Sequence, residues 1–586
     1  MDHSRLDTIL IGFHETVLPP SLAALPADDP LGFYYRTAFL RWDGAHLEPH
    51  VALSRLTNAA TGRDDLYHWS EATPLALHHL TATLRRQGFQ TAMFPWLEGE
   101  HDRLAQLLDR AAPRSVCLTT TFYVDPLPLI EAVSFIRRHN DQTTIILGGP
   151  FVQDLCRDHQ GRALSQLLEA LGADVVVRSA GGERTLARVL HALRDGTDLG
   201  QVPNLAVLER GTMLGLTATE PERSELDEPL DWDQITDEEL GREVCLRTSV
   251  GCAHSCAFCE FPVRAGAHRL AALAGVERQI QQLARRQVRH VCFVDDALNV
   301  PPKRLDALCR TLIDGGAPFR WSAHFRAAQE PRPERFRRLK DSGCAALHLG
   351  VESGDDEMLR RMSKSGRVAH YERALELCRD NGILSHAALL VGFPGETAQS
   401  LERTIDFVNR TQPTTFKPQP FFYHHHAPVH RQAAALGLHG RGWRWRHHTM
   451  TSRQAFAAAG QVRHRVKGSS FVGDRQMHLF MLPWLQSKGM STDQLVTALR
   501  LFDELQRDSF DARALGQHSR GRRKQRRAEL TALCASLQLE PARFSMAVVD
   551  RYPHAIEAAM DRRQIFVELG ALPDGAPARA TPKPAE

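Results

Sequence analysis

The chain's 586 residues are enough for three or four domains, and 43% hydrophobic with 24% charged residues excludes long disorder and collagen-like repeats. Its 72 lysines and arginines against 69 aspartates and glutamates leave a net charge of +3, no footprint for nucleic acid, and no apolar run reaches the ~18–20 residues of a membrane span. Eleven thinly spread cysteines, with a first strand rather than a signal peptide in Met1–Glu15, read as a reduced, cytoplasmic protein.

Along residues 1–219, apolar runs at Asp7–Gly12, Thr91–Pro95, Ser115–Thr119, Thr143–Leu147 and Asp174–Arg178 read as strands. Between them Leu75–Arg86, His101–Ala111, Leu127–Arg138 and Ala163–Leu171 have helical spacing. This alternation predicts an α/β fold with a doubly wound, Rossmann-like parallel sheet, whose ligands bind at the carboxyl ends of the strands. Those ends read Gly12-Phe-His-Glu, Thr119-Thr120-Thr121, Gly148-Gly149-Pro150 and Gly181-Gly182-Glu183, and the glycines would let backbone approach a ligand. Residues 30–58 show no clear period.

Residues 220–241 are acidic and aperiodic, the pattern of a linker. From 242 to 430 a second series follows, with strands at Val244–Thr248, His290–Val294, Arg320–His324, Ala346–Val351, Ser385–Val391 and Thr415–Pro420. Six βα units predict a (β/α)6 partial TIM barrel with its site at the strand carboxyl ends. Strand patterns vanish after 430, so 431–573 reads as a helical C-terminal substrate domain, and the Ala/Pro-rich 574–586 as a disordered tail.

Cys252-Ala-His-Ser-Cys256-Ala-Phe258-Cys259 follows the first strand of this second series. Three thiols gathered in one loop suit an iron–sulfur cluster with an open iron, or a zinc knuckle completed by His254. The spacing Cys-x3-Cys-x-aromatic-Cys in that position resembles the radical S-adenosylmethionine (SAM) superfamily. The resemblance implies a [4Fe–4S] cluster on Cys252, Cys256 and Cys259, with SAM on the fourth iron. It also implies SAM contacts from Phe258, from Asp296 after the second strand, from Glu352 and Ser353 in Gly350-Val-Glu-Ser-Gly354, and from Gly392 in Gly392-Phe-Pro-Gly-Glu396.

The N-terminal half is similar to the cobalamin-binding domain of the class B radical SAM methyltransferases, with Thr119, Thr120, Thr121, Gly148, Gly149, Gly182 and Glu183 in the expected loops. The Asp-x-His-x-x-Gly signature of base-off cobalamin proteins is absent; Asp158-His159-Gln-Gly161 has the wrong spacing. Trp69, in Tyr67-His68-Trp69-Ser70-Glu71, is the expected residue beneath cobalt, with His68 as its rival. Trp443-Arg-Trp445-Arg-His447-His448-Thr449-Met450 resembles a stretch of the subgroup that includes phosphinate P-methyltransferases and tryptophan 2-C-methyltransferase; it would line a substrate pocket or pack a domain joint.

This resemblance implies a cytoplasmic, monomeric enzyme that moves a methyl group from SAM through cobalamin to an unactivated carbon or phosphorus of a natural-product precursor. The expected partners are a small-molecule or peptide substrate and a flavodoxin- or ferredoxin-type one-electron reductant, with no nucleic acid and no membrane. A cobalamin-binding oxidoreductase or rearrangement enzyme is the alternative. His424-His425-His426 reads as a surface run, and Arg520–Arg527 as a solvated helix end.

Overall fold

The computed structural model describes residues 6–15, 18–179, 181–209, 211–222, 226–473, 481–510, 517–551, 557–569 and 571–572. The N-terminal sheet has seven strands: β1 (Thr8–Phe13), β2 (Thr91–Trp96), β3 (Ser115–Thr119), β4 (Thr144–Gly148), β5 (Val175–Val177), β6 (Leu205–Glu209) and β7 (Thr212–Leu216). Their spatial order is β7-β6-β5-β4-β3-β1-β2. The first five run parallel; β6 pairs antiparallel with β5, and β7 pairs antiparallel with β6. The order β2-β1-β3-β4-β5 reverses between β1 and β3, and a ligand crevice opens outside the carboxyl ends at such a reversal.

The second sheet is parallel and in chain order: β8 (Glu243–Leu246), β9 (His290–Phe293), β10 (Arg320–Phe325), β11 (Cys344–Glu352), β12 (Leu384–Val391), β13 (Thr415–Pro420) and a short β14 (Ser470–Phe471). Alternate residues face opposite ways. Val244, Leu246, Val291, Phe293, Trp321, Ala323, Leu347 and Leu349 pack with the helices in one apolar cluster. The intervening positions include the polar Ser322, His324, His348 and His386. His324, His348 and His386 stand in one register row, with ring centroids 5.8 and 5.2 Å apart. Barrel interiors are ordinarily filled by branched apolar side chains, so this face is lined as a site.

Three expectations change. The region beyond 430 contains strands as well as helices: a hairpin pairs His439–Arg441 with Arg444–Arg446, β14 extends the second sheet, and Phe544–Ser545 pairs with Asp65–Leu66. Segments of two or three residues are too short to show a period. Residues 30–58 hold helices Pro30–Ala38 and Pro49–Thr61 around a small hairpin. They pack with the C-terminal helices, where Val51, Leu53 and Tyr67 join Trp484, Leu499 and Leu530.

The third change concerns 220–241. Leu226, Leu230, Trp232, Ile235 and Leu240 are buried in the core of the second sheet. Trp232 is fully buried beside the helix Leu273–Ala284, whose Gln282 accepts from the Trp232 backbone N–H at 3.3 Å and donates to Asp231 at 2.7 Å. Glu239 takes both guanidinium arms of Arg85, each at 2.7 Å, from the helix Leu75–Arg86 of the N-terminal domain. The segment is a strap holding both domains. Its apolar residues follow no period because its helices, Trp232–Gln234 and Asp237–Leu240, are too short to repeat one. Trp232→Ala should cost about 3–5 kcal/mol, read from denaturant midpoints, and open the strap to limited proteolysis; a loose linker would show neither effect.

Candidate functional site at the carboxyl ends of two sheets

The cysteine loop leaves β8 and is fixed at its root. Asp295, fully buried after β9, accepts from the Thr248 backbone N–H at 3.0 Å, from the Thr248 hydroxyl at 3.1 Å and from the Ser249 hydroxyl. Ser249–Val250 then pairs with Arg269–Leu270, which closes the loop on itself. Gly251 has φ +79°, and a Cβ there would lie 2.7 Å from the carbonyls of Gly266 and Ala267, so this position requires glycine. The middle is stitched on both sides: Ala257 N donates to Met362 O, and Val429 N to Ala257 O, both at 2.8 Å.

This scaffold gathers Cys252, Cys256 and Cys259 closely enough that Cys259 senses the charge of the other two. Burial pushes the Cys252 thiol up and the Cys259 thiol up to about 11, so a metal bound by them has to displace their protons. Among the described residues no three His, Cys, Asp or Glu side chains converge on one metal ion.

Two cations stand against the thiols. Arg326, just past β10, donates from Nη1 to the Cys256 sulfur at 3.1 Å. Lys364 is buried, 2.6 Å from Glu352 Oε1, with its ammonium 5.9 Å from the Phe258 ring centre. Glu352 ends β11 at φ +67°, and a Cβ on Gly350 would meet its carboxylate at 2.7 Å and the Lys364 ammonium at 2.9 Å. Asp296 opens to solvent at the same mouth; the desolvating walls push its carboxyl up, against the pull of Arg247. Arg326 and Lys364 escaped the sequence reading. Their signals are a basic residue just past a strand carboxyl end and a lysine twelve residues beyond Glu352.

Ser353 and Gly392, two of the expected SAM contacts, also make close contacts within the fold. The Ser353 hydroxyl is buried 3.2 Å from Thr404 Oγ1 and accepts from the Asp355 N–H at 3.2 Å, closing the joint between β11 and the next helix. Gly392, at φ +90°, lies where a Cβ would fall 2.5 Å from Ala455 and 2.9 Å from Trp445. Its N–H donates to Glu396 and its carbonyl faces His447 Nε2 at 3.0 Å. Trp445 stacks on His447 and donates to Phe421 O at 2.7 Å, so this part of the tryptophan–histidine stretch packs a joint. Trp443 differs. It stands half-buried beside Tyr34 and Phe422, and Gln419 Nε2 donates to the Tyr34 hydroxyl at 2.5 Å.

On the first sheet, Thr119 and Gly148 are register partners at the carboxyl ends of β3 and β4. Gly149, at φ +108°, brings its backbone to where a Cβ would meet Thr120 N at 2.9 Å. Thr119 and Thr121 share a 2.8 Å hydroxyl contact, and Thr120 is fully buried. Gly182 and Glu183 begin the helix after β5, where a Cβ on Gly182 would crowd Val177 at 2.9 Å. At the β1/β3 reversal Trp69 packs 5.2 Å from Phe13 and 5.7 Å from Phe122, while Phe122 (37% exposed) and Val124 (88%) form an apolar rim. His68 is buried, stacked 4.1 Å on Trp96, with Nδ1 2.5 Å from the Ser70 hydroxyl. Beneath the rim His14 lies between Glu98 and Glu131; burial opposes its charge, yet the carboxylates prevail and hold it at about 9.

One charged chain joins the two edges. Arg264, in the short helix after Cys259, contacts Glu260 at 2.7 Å and Asp154 at 2.6 Å, the latter on the helix that starts at Pro150. The histidine run closes it: His424 meets Glu260 at 3.1 Å, His426 meets Asp158 at 2.9 Å, and His425 turns away to the Gly440 carbonyl. The basic run is likewise tied to neighbours, with Arg526 on Glu504 and Arg527 over Trp42.

Glu396 supplies a pH test of the Gly392 corner. Burial pushes it from 4.5 up to about 8. The folded chain therefore keeps a proton that the unfolded chain releases, and stability falls as pH rises between those values. Glu396→Gln should flatten that part of the decline in urea midpoints across pH 5–8; identical pH profiles would refute the protonated corner.

Residues 246–408 match the Radical SAM superfamily. An uncharacterized methyltransferase of Pyrococcus horikoshii is 24% identical over 290 residues, 46% of this chain and 59% of the relative. An anaerobic magnesium-protoporphyrin IX monomethyl ester cyclase of Rubrivivax gelatinosus is 25% identical over 272 residues, 44% of this chain and 49% of the relative. The chain thus spans about half the length of these curated relatives. The radical SAM methyltransferase TsrM of Kitasatospora setae, solved with cobalamin and a [4Fe–4S] cluster, shares the fold at TM-score 0.51 and 18% identity, over 74% of this chain and 80% of that one. No described helix is long and apolar enough to cross a membrane. The cysteine loop, the parallel sheet that presents it and the family match together make residues 246–408 a radical SAM domain.

Proposed function

We propose that the chain is a cobalamin-dependent radical SAM methyltransferase acting on an unactivated carbon or phosphorus of a small-molecule or peptide natural-product precursor. The observation that carries this reading is the bridge through Arg264. It sets the three-cysteine loop beside the carboxyl edge of a β2-β1-β3-β4-β5 sheet, an edge with a glycine cradle at Gly149 and an apolar rim at its reversal. The cobalamin and cluster in the TsrM structure of the same fold support the same pair here. In this reading 1–219 binds cobalamin, 242–430 is the SAM barrel, and 431–573 closes the substrate side, in a cytoplasmic monomer fed by a flavodoxin- or ferredoxin-type reductant.

When bound, the cluster and SAM supply one-electron chemistry and the methyl donor, and cobalamin supplies the carrier. The protein's part is placement and dryness. Cys252, Cys256 and Cys259 hold the cluster. Glu352, Lys364, Phe258 and Asp296 border the space where SAM would lie, with Glu352 offered to its ammonium or ribose. Thr119, Thr121, Gly148, Gly149, Gly182 and Glu183 would follow the corrin edge and tail. Trp443, Tyr34 and Phe422 offer a flat wall to the substrate.

Anaerobic reconstitution tests the core of this reading. About four irons should bind per chain and be lost when all three cysteines become alanine. Methyl-labelled SAM should pass its label first to the corrin and then to product. Cleavage of SAM with no label transferred would overturn the methyltransferase assignment.

In this reading Trp69 would lie beneath a bound cobalamin and offer no ligand to it. Indole has no basic nitrogen to offer, and it lies at the apolar reversal, whereas His68 is turned into the packing. Paramagnetic resonance of the Co(II) state should show no axial-nitrogen splitting in wild type, and a changed spectrum in Trp69→Ala. Nitrogen splitting that disappears in His68→Ala would reverse the assignment.

A further inference from the structure

Arg326 is a buried cation whose charge no aspartate or glutamate among the described residues pairs. Its side chain is only 8% exposed as a residue, and none of the ion pairs formed by its neighbours includes it. One N–H reaches the Cys256 sulfur at 3.1 Å, while Nε and Nη2 are buried with no hydrogen-bond partner. The position is rigid: Arg326 N donates to Asn299 Oδ1 at 3.0 Å, and Asn299 Nδ2 donates back to Arg326 O at 2.8 Å. Lys364, which senses the charge of Arg326, is itself paired with Glu352. A guanidinium cannot shed its charge on burial as an ammonium can. The surroundings therefore favour an anionic occupant in front of the thiols, and they favour it more with each added negative charge.

We propose that Arg326 is a positioning residue that sets the reduction potential of the cluster held by Cys252, Cys256 and Cys259; this rests on the cluster reading above. When one electron enters from an external one-electron reductant, no bond is made or broken and the site gains one negative charge. The guanidinium and its hydrogen bond to sulfur stabilise that charge more than the oxidised state. Hydrogen bonds to cluster sulfurs and nearby charge are the protein's means of tuning such potentials. Arg326 thus makes the cluster easier to reduce than the thiols alone would.

The test is a redox titration of the reconstituted full chain without SAM, followed by paramagnetic resonance with dithionite as the reductant. Arg326→Gln and Arg326→Met should each shift the reduction equilibrium at least tenfold against the reduced state, about 59 mV per tenfold for one electron. Arg326→Lys, which keeps charge but loses the fork, should fall between them and wild type. Iron content is read in parallel. Wild type without iron would defeat the cluster reading, whereas iron-loaded Gln or Met variants at the wild-type potential would overturn the role of Arg326. Wild-type protein carrying 15N-arginine provides a readout independent of any variant. Its reduced cluster should show 15N coupling from a guanidinium, and absence of that coupling overturns the proposal.

Discussion

A single buried carboxylate holds the cysteine loop to the sheet. Asp295 is fully enclosed and accepts from a backbone N–H and two hydroxyls at the root of the loop. Charge-assisted hydrogen bonds of this kind are about twice as strong as neutral ones. Removing the carboxylate would strand three donors in a dry place, a larger loss than the bonds themselves. With the root fixed, the bonds to Met362 and Val429 fix the crown, so the loop is tied to the barrel at both places.

The same logic of parallel strands governs both halves. Every strand of a parallel sheet delivers its loop at one end, so chemistry collects there without long-range design. The second sheet adds a polar inner face, with three histidines in one register row, where a packed barrel would carry aliphatic side chains. The first sheet adds an apolar rim of Phe13, Trp69 and Phe122. One edge thus carries charge and the other an apolar surface.

The long strands were legible because each is an uninterrupted apolar run bounded by turn residues, and the cysteines because their spacing is local. At Ser353 and Gly392 a serine or glycine at a strand end serves a cofactor and a tight joint equally well, and the joint is visible only through Thr404, Trp445 and Ala455, distant in sequence. Arg326 and Lys364 were invisible because cations are common on surfaces and their burial is a property of the fold. The strap and the two- or three-residue strands beyond 430 were missed because irregular or very short pairing has no period to detect.

The strap also determines whether the molecule has a seam. A chain cut before it would leave the barrel without the Arg85 clamp on Glu239, and a cut after it would strip Trp232 and Leu230 from the barrel core and expose the helix beneath. Neither half is therefore a self-sufficient module. Transplanting the barrel onto another N-terminal domain would require moving residues 226–240 and the face of the Leu75–Arg86 helix with it, so the two sheets share one seam that cannot be cut without cost to either.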